Sequence, residues 1–295
     1  MKIKVITSYK PGCWEQYGKK GIESMAEQFP KEIDIVVYAE EPKPECKYDR
    51  IQWIDLNTAE PELVKFKNKH KNDPVANGEL EEIEGGVRRP AELQVKGGND
   101  KNKGSFLWAA VRFANKVFCV VNAVRNSEEY DYVVWIDGDT FSFRPIPMSF
   151  FEQLLPQDTM LTYLGRENPK LNDGGKYPEC GFVGYNLKHP EMQNFINDWE
   201  KLYVTDEVFK LLEWHDSYVF WHLTKKYRKE SPYQIKVNDI GYWKGVKGHH
   251  VFVNSELGEY MDHMKGKRKK IGTSTRNDLR KEPTVDYWKK APQSL

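Results

Sequence analysis

Apolar positions in the first 55 residues fall into short runs separated by polar punctuation. Lys4-Val5-Ile6-Thr7-Ser8-Tyr9 reads as a strand entering a polar loop, and a helix follows from about Trp14 to Gln28, closed by Phe29-Pro30. Ile33-Asp34-Ile35-Val36-Val37-Tyr38 predicts a second strand stopped by Glu41-Pro42-Lys43-Pro44, and Arg50-Ile51-Gln52-Trp53-Ile54 a short third. Strand, helix, strand is the opening of an α/β domain with a largely parallel sheet.

From 57 to 104 the pattern lapses. Charge blocks such as Lys65-Phe66-Lys67-Asn68-Lys69-His70-Lys71 and Glu81-Glu82-Ile83-Glu84-Gly85-Gly86 give way to Lys96-Gly97-Gly98-Asn99. An inserted excursion with little core is expected, either disordered or a mobile loop on the acceptor side. Periodicity returns with a helix over Phe106 to Phe118, which puts Arg112 and Lys116 on one face. A buried strand (Asp131 to Ile136), another (Thr159 to Leu164), a glycine-rich loop (Asp173-Gly174-Gly175) and the strand Phe182 to Asn186 follow. Helical stretches near Pro190 to Tyr203 and Asp216 to Lys226, a strand near Gln234 to Asn238 and a basic tail (264–295) complete the chain. Without an internal repeat or linker, 1–295 reads as a single domain.

Composition narrows the classes. Apolar residues make up 39% of the 295, enough for a core, so wholesale disorder is excluded. With 45 basic and 44 acidic residues, a globally basic nucleic-acid binder is not indicated, although local patches remain open. The surplus of rings, 13% of the chain, serves core packing or stacking on a sugar or base. The longest apolar run, Val117 to Val124, is broken by Asn122, so no membrane span is expected. Met1 to Ile6 alternates like a strand rather than a signal peptide. Cys13, Cys46, Cys119 and Cys180 lack the spacing of a thiolate zinc or redox site, which points to a reduced, cytoplasmic setting.

Candidate chemistry concentrates in three places. Asp137-Gly138-Asp139 ends a buried strand, and open α/β sheets bind ligands at the carboxyl ends of their strands. Two carboxylates flanking a glycine can converge on Mg²⁺ or Mn²⁺, which can bridge a diphosphate; the plainer reading is a turn with a helix-capping Asp. His263-Met264-Lys265-Gly266-Lys267-Arg268-Lys269 has the form His-x-x-Gly-x-x-Lys. His263 can add a nitrogen ligand, favouring Mn²⁺, while Gly266 admits a phosphate and Lys269 pairs with it; a solvated tail is the alternative. Gly266 to Gly272 lacks the Lys before Thr273 that a phosphate loop needs. Glu213-Trp214-His215-Asp216-Ser217-Tyr218 opens a helix, where Asp216 either caps or stands beside a reacting group. As a general base Asp216 ranks first and Glu179 second; His215 tunes either role or is structural.

These motifs resemble the GT-A superfamily of nucleotide-sugar glycosyltransferases, most of all the glycogenin-like family-eight branch with its C-terminal His-x-x-Gly-x-x-Lys. The likeness extends to Tyr177 to Asn186, although Glu179-Cys180-Gly181 departs from the branch's Asn-Ser-Gly. It implies a Rossmann-like single domain and a metal held by Asp137, Asp139 and His263. It also implies a UDP-sugar donor contacted by Thr7, Ser8, Tyr9, Arg112, Lys116, Asp137, Gly138, Gly266 and Lys269. If transfer retains configuration, Asp216 would bind donor hydroxyls rather than act as base. Glu179 to Gly184 and Glu213 to Tyr218 resemble more narrowly phage-type glycosyltransferases related to the base J glucosyltransferase, which glucosylates a hydroxymethylated pyrimidine in DNA. That implies DNA as acceptor and a bacterial or phage-infected cytoplasm. From His263 to Lys281, eight Lys or Arg face one Asp, which suits a polyanion. A surface glycan or lipopolysaccharide is the alternative acceptor. A nucleotidyltransferase and a non-catalytic nucleic-acid-binding protein are the readings from other classes.

Overall fold

A computed structural model describes residues 1–79, 82–83, 86–87, 105–168, 177–233, 235–241, 250–280 and 282–295. Strand β1 (Ile3–Ser8) is followed by a π-helical turn (Trp14–Gly18), helix α1 (Lys19–Gln28), β2 (Asp34–Ala39) and β3 (Ile51–Asp55). Short α2 (Leu56–Ala59) precedes α3 (Pro61–His70), and β4 (Glu82–Ile83) pairs with β5 (Gly86–Val87). A 3-10 turn (Ser105–Trp108) opens α4 (Ala110–Arg125), and β6 (Tyr132–Ile136), β7 (Thr140–Ser142) and α5 (Met148–Leu154) come next. The chain continues through β8 (Leu161–Arg166), β9 (Tyr177–Asn186), α6 (Met192–Val204) and α7 (Asp216–Glu230). It closes with β10 (Val237–Asp239), β11 (Met261–His263) and α8 (Asp286–Lys290).

Seven strands form the central sheet in the order β10-β8-β9-β6-β1-β2-β3. β3, β2, β1 and β6 run parallel, as do β10 and β8, and β9 alone of the seven is reversed against both neighbours. This is the mostly parallel α/β architecture expected from the sequence. Every residue of β6 is buried because both faces are covered. Val133 and Trp135 enter the core shared with α4, α6 and α7, while Tyr132, Val134 and Ile136 enter the core beneath α1.

Two segments differ from the sequence reading. The start of the 57–104 excursion is built into the core: Leu63, Phe66, Val75 and Ala76 are buried. Its apolar residues stand between lysines that turn outward, so the short stripe is hard to see. Most of 80–104, the Asp173-Gly174-Gly175 loop and Gln234 lie outside the described residues. Nor is 264–295 a solvated tail. Trp288 is buried and donates through Nε1 to the carbonyl of Gly258 (2.6 Å), and Tyr287 stacks on Phe143 at 4.0 Å. Buried Asp262 accepts from the Thr273 hydroxyl, the Ser274 amide and the Tyr287 hydroxyl, which anchors the segment. Among the described residues no helix is long and apolar enough to cross a membrane.

Close approach at the carboxyl end of the sheet depends on two glycines. A Cβ on Gly21 of α1 would stand 2.3 Å from the Gly138 carbonyl oxygen, and one on Gly138 would stand 2.2 Å from that of Ser8. Alanine at 21 gains about 0.5–1 kcal/mol of helix preference, but overpacking against backbone costs about 1–3 kcal/mol. Gly21→Ala should therefore lower stability to urea; a variant as stable as the wild type or more so would contradict this packing.

Candidate functional site

Where β6 ends, the chain turns through Asp137-Gly138-Asp139. The Asp137 amide donates to the Gly181 carbonyl on β9 (3.0 Å), and Thr140 closes the turn by donating to the Asp137 carbonyl (2.9 Å). β7 then pairs antiparallel with β11, in a register that sets His263 opposite Thr140. The Met264 amide donates to the Asp139 carbonyl (2.8 Å), locking the ribbon to the turn. Nε2 of His263 consequently lies 3.1 Å from an Asp139 carboxylate oxygen and 3.5 Å from one of Asp137. One ligand atom from each of the three residues lies within 4.8 Å of the others.

Three lysines hold the acids around this centre. Lys116, buried on α4, donates to Asp137 (3.1 Å), to Asp216 (2.8 Å) and to the Cys180 carbonyl. Burial alone would push its ammonium down, yet the carboxylates of Asp137 and Asp216 outweigh burial and hold it well above the usual lysine range. Lys269 pairs with Asp139 and lies 5.0 Å from the centre of the Tyr17 ring; Lys265 pairs with Glu179. Burial works to raise Asp139 and Glu179, but His263 and Lys269 hold the first, and Lys265 and His263 the second, well below the usual carboxylate range. Burial opposes the charged form of His263 too, and Asp139 raises its imidazole above the ordinary value despite that.

Asp216 opens α7, where the helix dipole favours a carboxylate. Against burial, Lys116 and then His215 hold it far below the usual range. His215, also buried, lies 2.8 Å from Glu213 and 3.3 Å from the Tyr177 hydroxyl through Nε2. Rings of Phe106 and Phe113 pack on His215, and Tyr218 continues the row to Trp221.

The expected nucleotide contacts are distributed unevenly. Thr7 and Ser8 end β1 directly against Gly138, with the Thr7 hydroxyl buried and unpartnered. Tyr9 is buried between Trp14 and Trp53, at ring separations of 5.4 and 6.5 Å, so stacking on a base would require those rings to move. Trp53 itself lines an open cavity of about 310 Å³ with Glu40, Glu41, Asp55 and Asn57, over the ends of β2 and β3. Arg112 is exposed, whereas the three donors of Lys116 already have acceptors. Gly266 has φ of +65° and open space around it, and starts the turn that carries Lys269.

Sequence reasoning missed several neighbours. Trp135 donates from Nε1 to Asp137 (2.7 Å), and His250 lies 2.7 Å from the His263 carbonyl. Lys265 and Trp53 carried no role either. Trp135 faces alternately with Val134 along β6, so its side of the sheet was legible; the partners of His250 and Lys265 were not.

No family profile matches the sequence, and no curated protein does. Among solved structures, the chain is similar to the apo WbbM bifunctional glycosyltransferase at 12% identity and a TM-score of 0.42. That match covers 75% of this chain, which spans 37% of the length of WbbM. Apo mouse xyloside xylosyltransferase 1 matches at 12% identity and a TM-score of 0.43, over 80% of this chain and 83% of that one. At those scores the likenesses carry no argument about activity, which has to come from the site.

Two carboxylates and an imidazole whose Nε2 faces both form a donor set that fits Mn²⁺, and with one nitrogen fewer Mg²⁺. Protons compete with a metal for His263, whose imidazole must be neutral to bind. Because Asp139 raises that imidazole, Mn²⁺ affinity should fall as pH is lowered through the neutral range, and His263→Ala should weaken binding and flatten the dependence. Titration of Mn²⁺ at several pH values checks this; a pH-independent affinity in the wild type would remove His263 from the ligand set.

Proposed function

We propose that the chain is a metal-dependent glycosyltransferase that moves a hexose, glucose first, from a UDP-sugar to an acceptor hydroxyl. The observation that carries this reading is the meeting of two motifs 124 residues apart: the Asp137/Asp139 turn and His263 of the His-x-x-Gly-x-x-Lys segment. A divalent cation held there would neutralise charge on the leaving diphosphate. Ser8 would line the path of the donor from that centre, with buried Thr7 and Gly138 behind it shaping the turn, Gly266 and Lys269 closing over the phosphates and exposed Arg112 adding charge. The Trp53 cavity lies two to three strand spacings from β6, about 10–14 Å, a span suited to a nucleoside diphosphate. In the reaction, the bond from the anomeric carbon to the diphosphate oxygen breaks, with its electron pair leaving on UDP. A bond to the acceptor oxygen forms on the same face, and the hydroxyl proton passes to the departing diphosphate oxygen.

Of the two roles open to Asp216, the ion pair with Lys116 favours binding donor hydroxyls. A carboxylate so held is poorly matched to proton abstraction near neutral pH, and Glu179 is held similarly by Lys265. The product should then keep the anomeric configuration of the donor, as read by proton NMR; inversion would return Asp216 to the role of base. In either case Asp216→Asn should cut turnover by about 10²-fold or more while leaving Mn²⁺ binding in place.

For the acceptor we propose 5-hydroxymethylpyrimidine in DNA. The ring row from Phe106 to Trp221 beside Asp216 offers stacking partners to a base that has left the duplex. Exposed Lys267 and Lys270 supply phosphate contacts, whereas Lys65, Lys67 and Lys69 are occupied by Glu62, Glu40 and Asp206. Offered hydroxymethylcytosine DNA, hydroxymethyluracil DNA, unmodified DNA and lipopolysaccharide with a UDP-hexose and Mn²⁺, the protein should add hexose mass to a modified base. Transfer should drop steeply with added salt. Hexose on the lipopolysaccharide alone would establish the surface-glycan reading; nucleotide incorporation in place of sugar would establish a nucleotidyltransferase.

A further inference from the structure

Four carboxylates around the centre are met by three lysines. Asp137, Asp139, Glu179 and Asp216 each touch an ammonium from Lys116, Lys265 or Lys269. Of these lysines, Lys269 alone sits on a carboxylate of the ligand set from a short 3-10 turn rather than from a packed helix. Lys116 is buried on α4 with three acceptors, and Lys265 touches Glu179, outside the ligand set. The turn of Lys269 starts at Gly266, whose positive φ suits glycine, and its backbone is held by Arg268 on Asp278, so a swing of the long Lys269 side chain is what would carry its ammonium off Asp139. On the far side of Lys269 is the Tyr17 ring, which can accept a cation without neutralising it.

We propose that Lys269 is an exchangeable counterion: it occupies Asp139 until a nucleotide diphosphate draws it away, and so ties metal loading to donor arrival. An ammonium and a divalent cation both seek the Asp139 carboxylate, and their like charges oppose occupancy of neighbouring oxygens. Phosphate oxygens offer the ammonium a second partner of the same sign as the one it gives up. Metal entering alone must compete with Lys269; metal entering with the diphosphate gains from it. The consequence for the enzyme would be a metal centre that fills efficiently only with donor present. This rests on reading Asp137, Asp139 and His263 as the metal site.

Calorimetric titration of the full chain with Mn²⁺ alone, and with UDP in the presence of saturating Mn²⁺, tests the exchange. For Lys269→Met, Mn²⁺ alone should bind about tenfold tighter than in the wild type, while UDP binds about tenfold weaker, within the usual range of coupling between linked sites. Lys269→Gln answers the same question should methionine disturb folding, and Lys269→Arg should restore wild-type Mn²⁺ affinity. If neutral variants bind Mn²⁺ alone no more tightly than the wild type while Asp139→Asn loses it, the exchange is wrong and the metal site stands. If Asp139→Asn binds Mn²⁺ as the wild type does, the site and the exchange both fall.

Discussion

The antiparallel pairing of β7 with β11 is the constraint on which the rest of the site depends. Three residue pairs suffice to bring a histidine from near the end of the chain beside two carboxylates at the end of a central strand. The ribbon is held at both ends. At one, the Met264 amide donates to the Asp139 carbonyl, and at the other the Phe143 amide donates to that of Tyr260; at its middle, the buried Asp262 carboxylate gathers the 273–287 segment around itself. Loss of the ribbon would leave the α/β sheet but separate the ligands. The reversed strand β9 supplies the floor, where Gly181 gives the space that Glu179 and His263 fill: a Cβ there would stand 3.0 Å from each.

Concentrating four carboxylates in one place has an electrostatic cost that lysines offset. Lys116 does so by joining Asp137 to Asp216, which couples an acid of the candidate metal set to the first residue of α7. The arrangement explains why a residue expected to meet phosphate is instead buried with its donors used. A cation fully engaged within the protein positions other groups; a half-exposed one, such as Lys265, or a partly exposed one with a single carboxylate partner, such as Lys269, remains able to meet a ligand.

Much of this was legible from the residues because the sheet carries its own signature. Tyr132 to Ile136 is a run of large apolar side chains, and such a run ending in Asp-Gly-Asp announces a buried parallel strand with acids at its carboxyl end. The helices over 14–28, 106–118, 190–203 and 216–226 were recognisable from their periodic apolar faces, with ends shifted by up to four residues except at α4, which runs seven residues past Phe118. The partners were hidden. Lys116 meets Asp216 across 100 residues, Lys265 meets Glu179 across 86, and Lys269 meets Asp139 across 130. Residue type gives the charge, but only the topology says which acid each lysine reaches. The C-terminal segment misled for a related reason: its lysines dominate the composition, while its anchors, Thr273, Ser274 and Tyr287, look unremarkable in isolation.

The central claim is that the ribbon makes one divalent-metal centre from Asp137, Asp139 and His263. Anomalous diffraction from crystals soaked in Mn²⁺ and UDP tests it most directly. The account predicts a single strong anomalous peak within bonding reach of both aspartate carboxylates and of Nε2 of His263, with the diphosphate on its open side. A peak held away from His263, or a diphosphate bound elsewhere on the sheet, would contradict it.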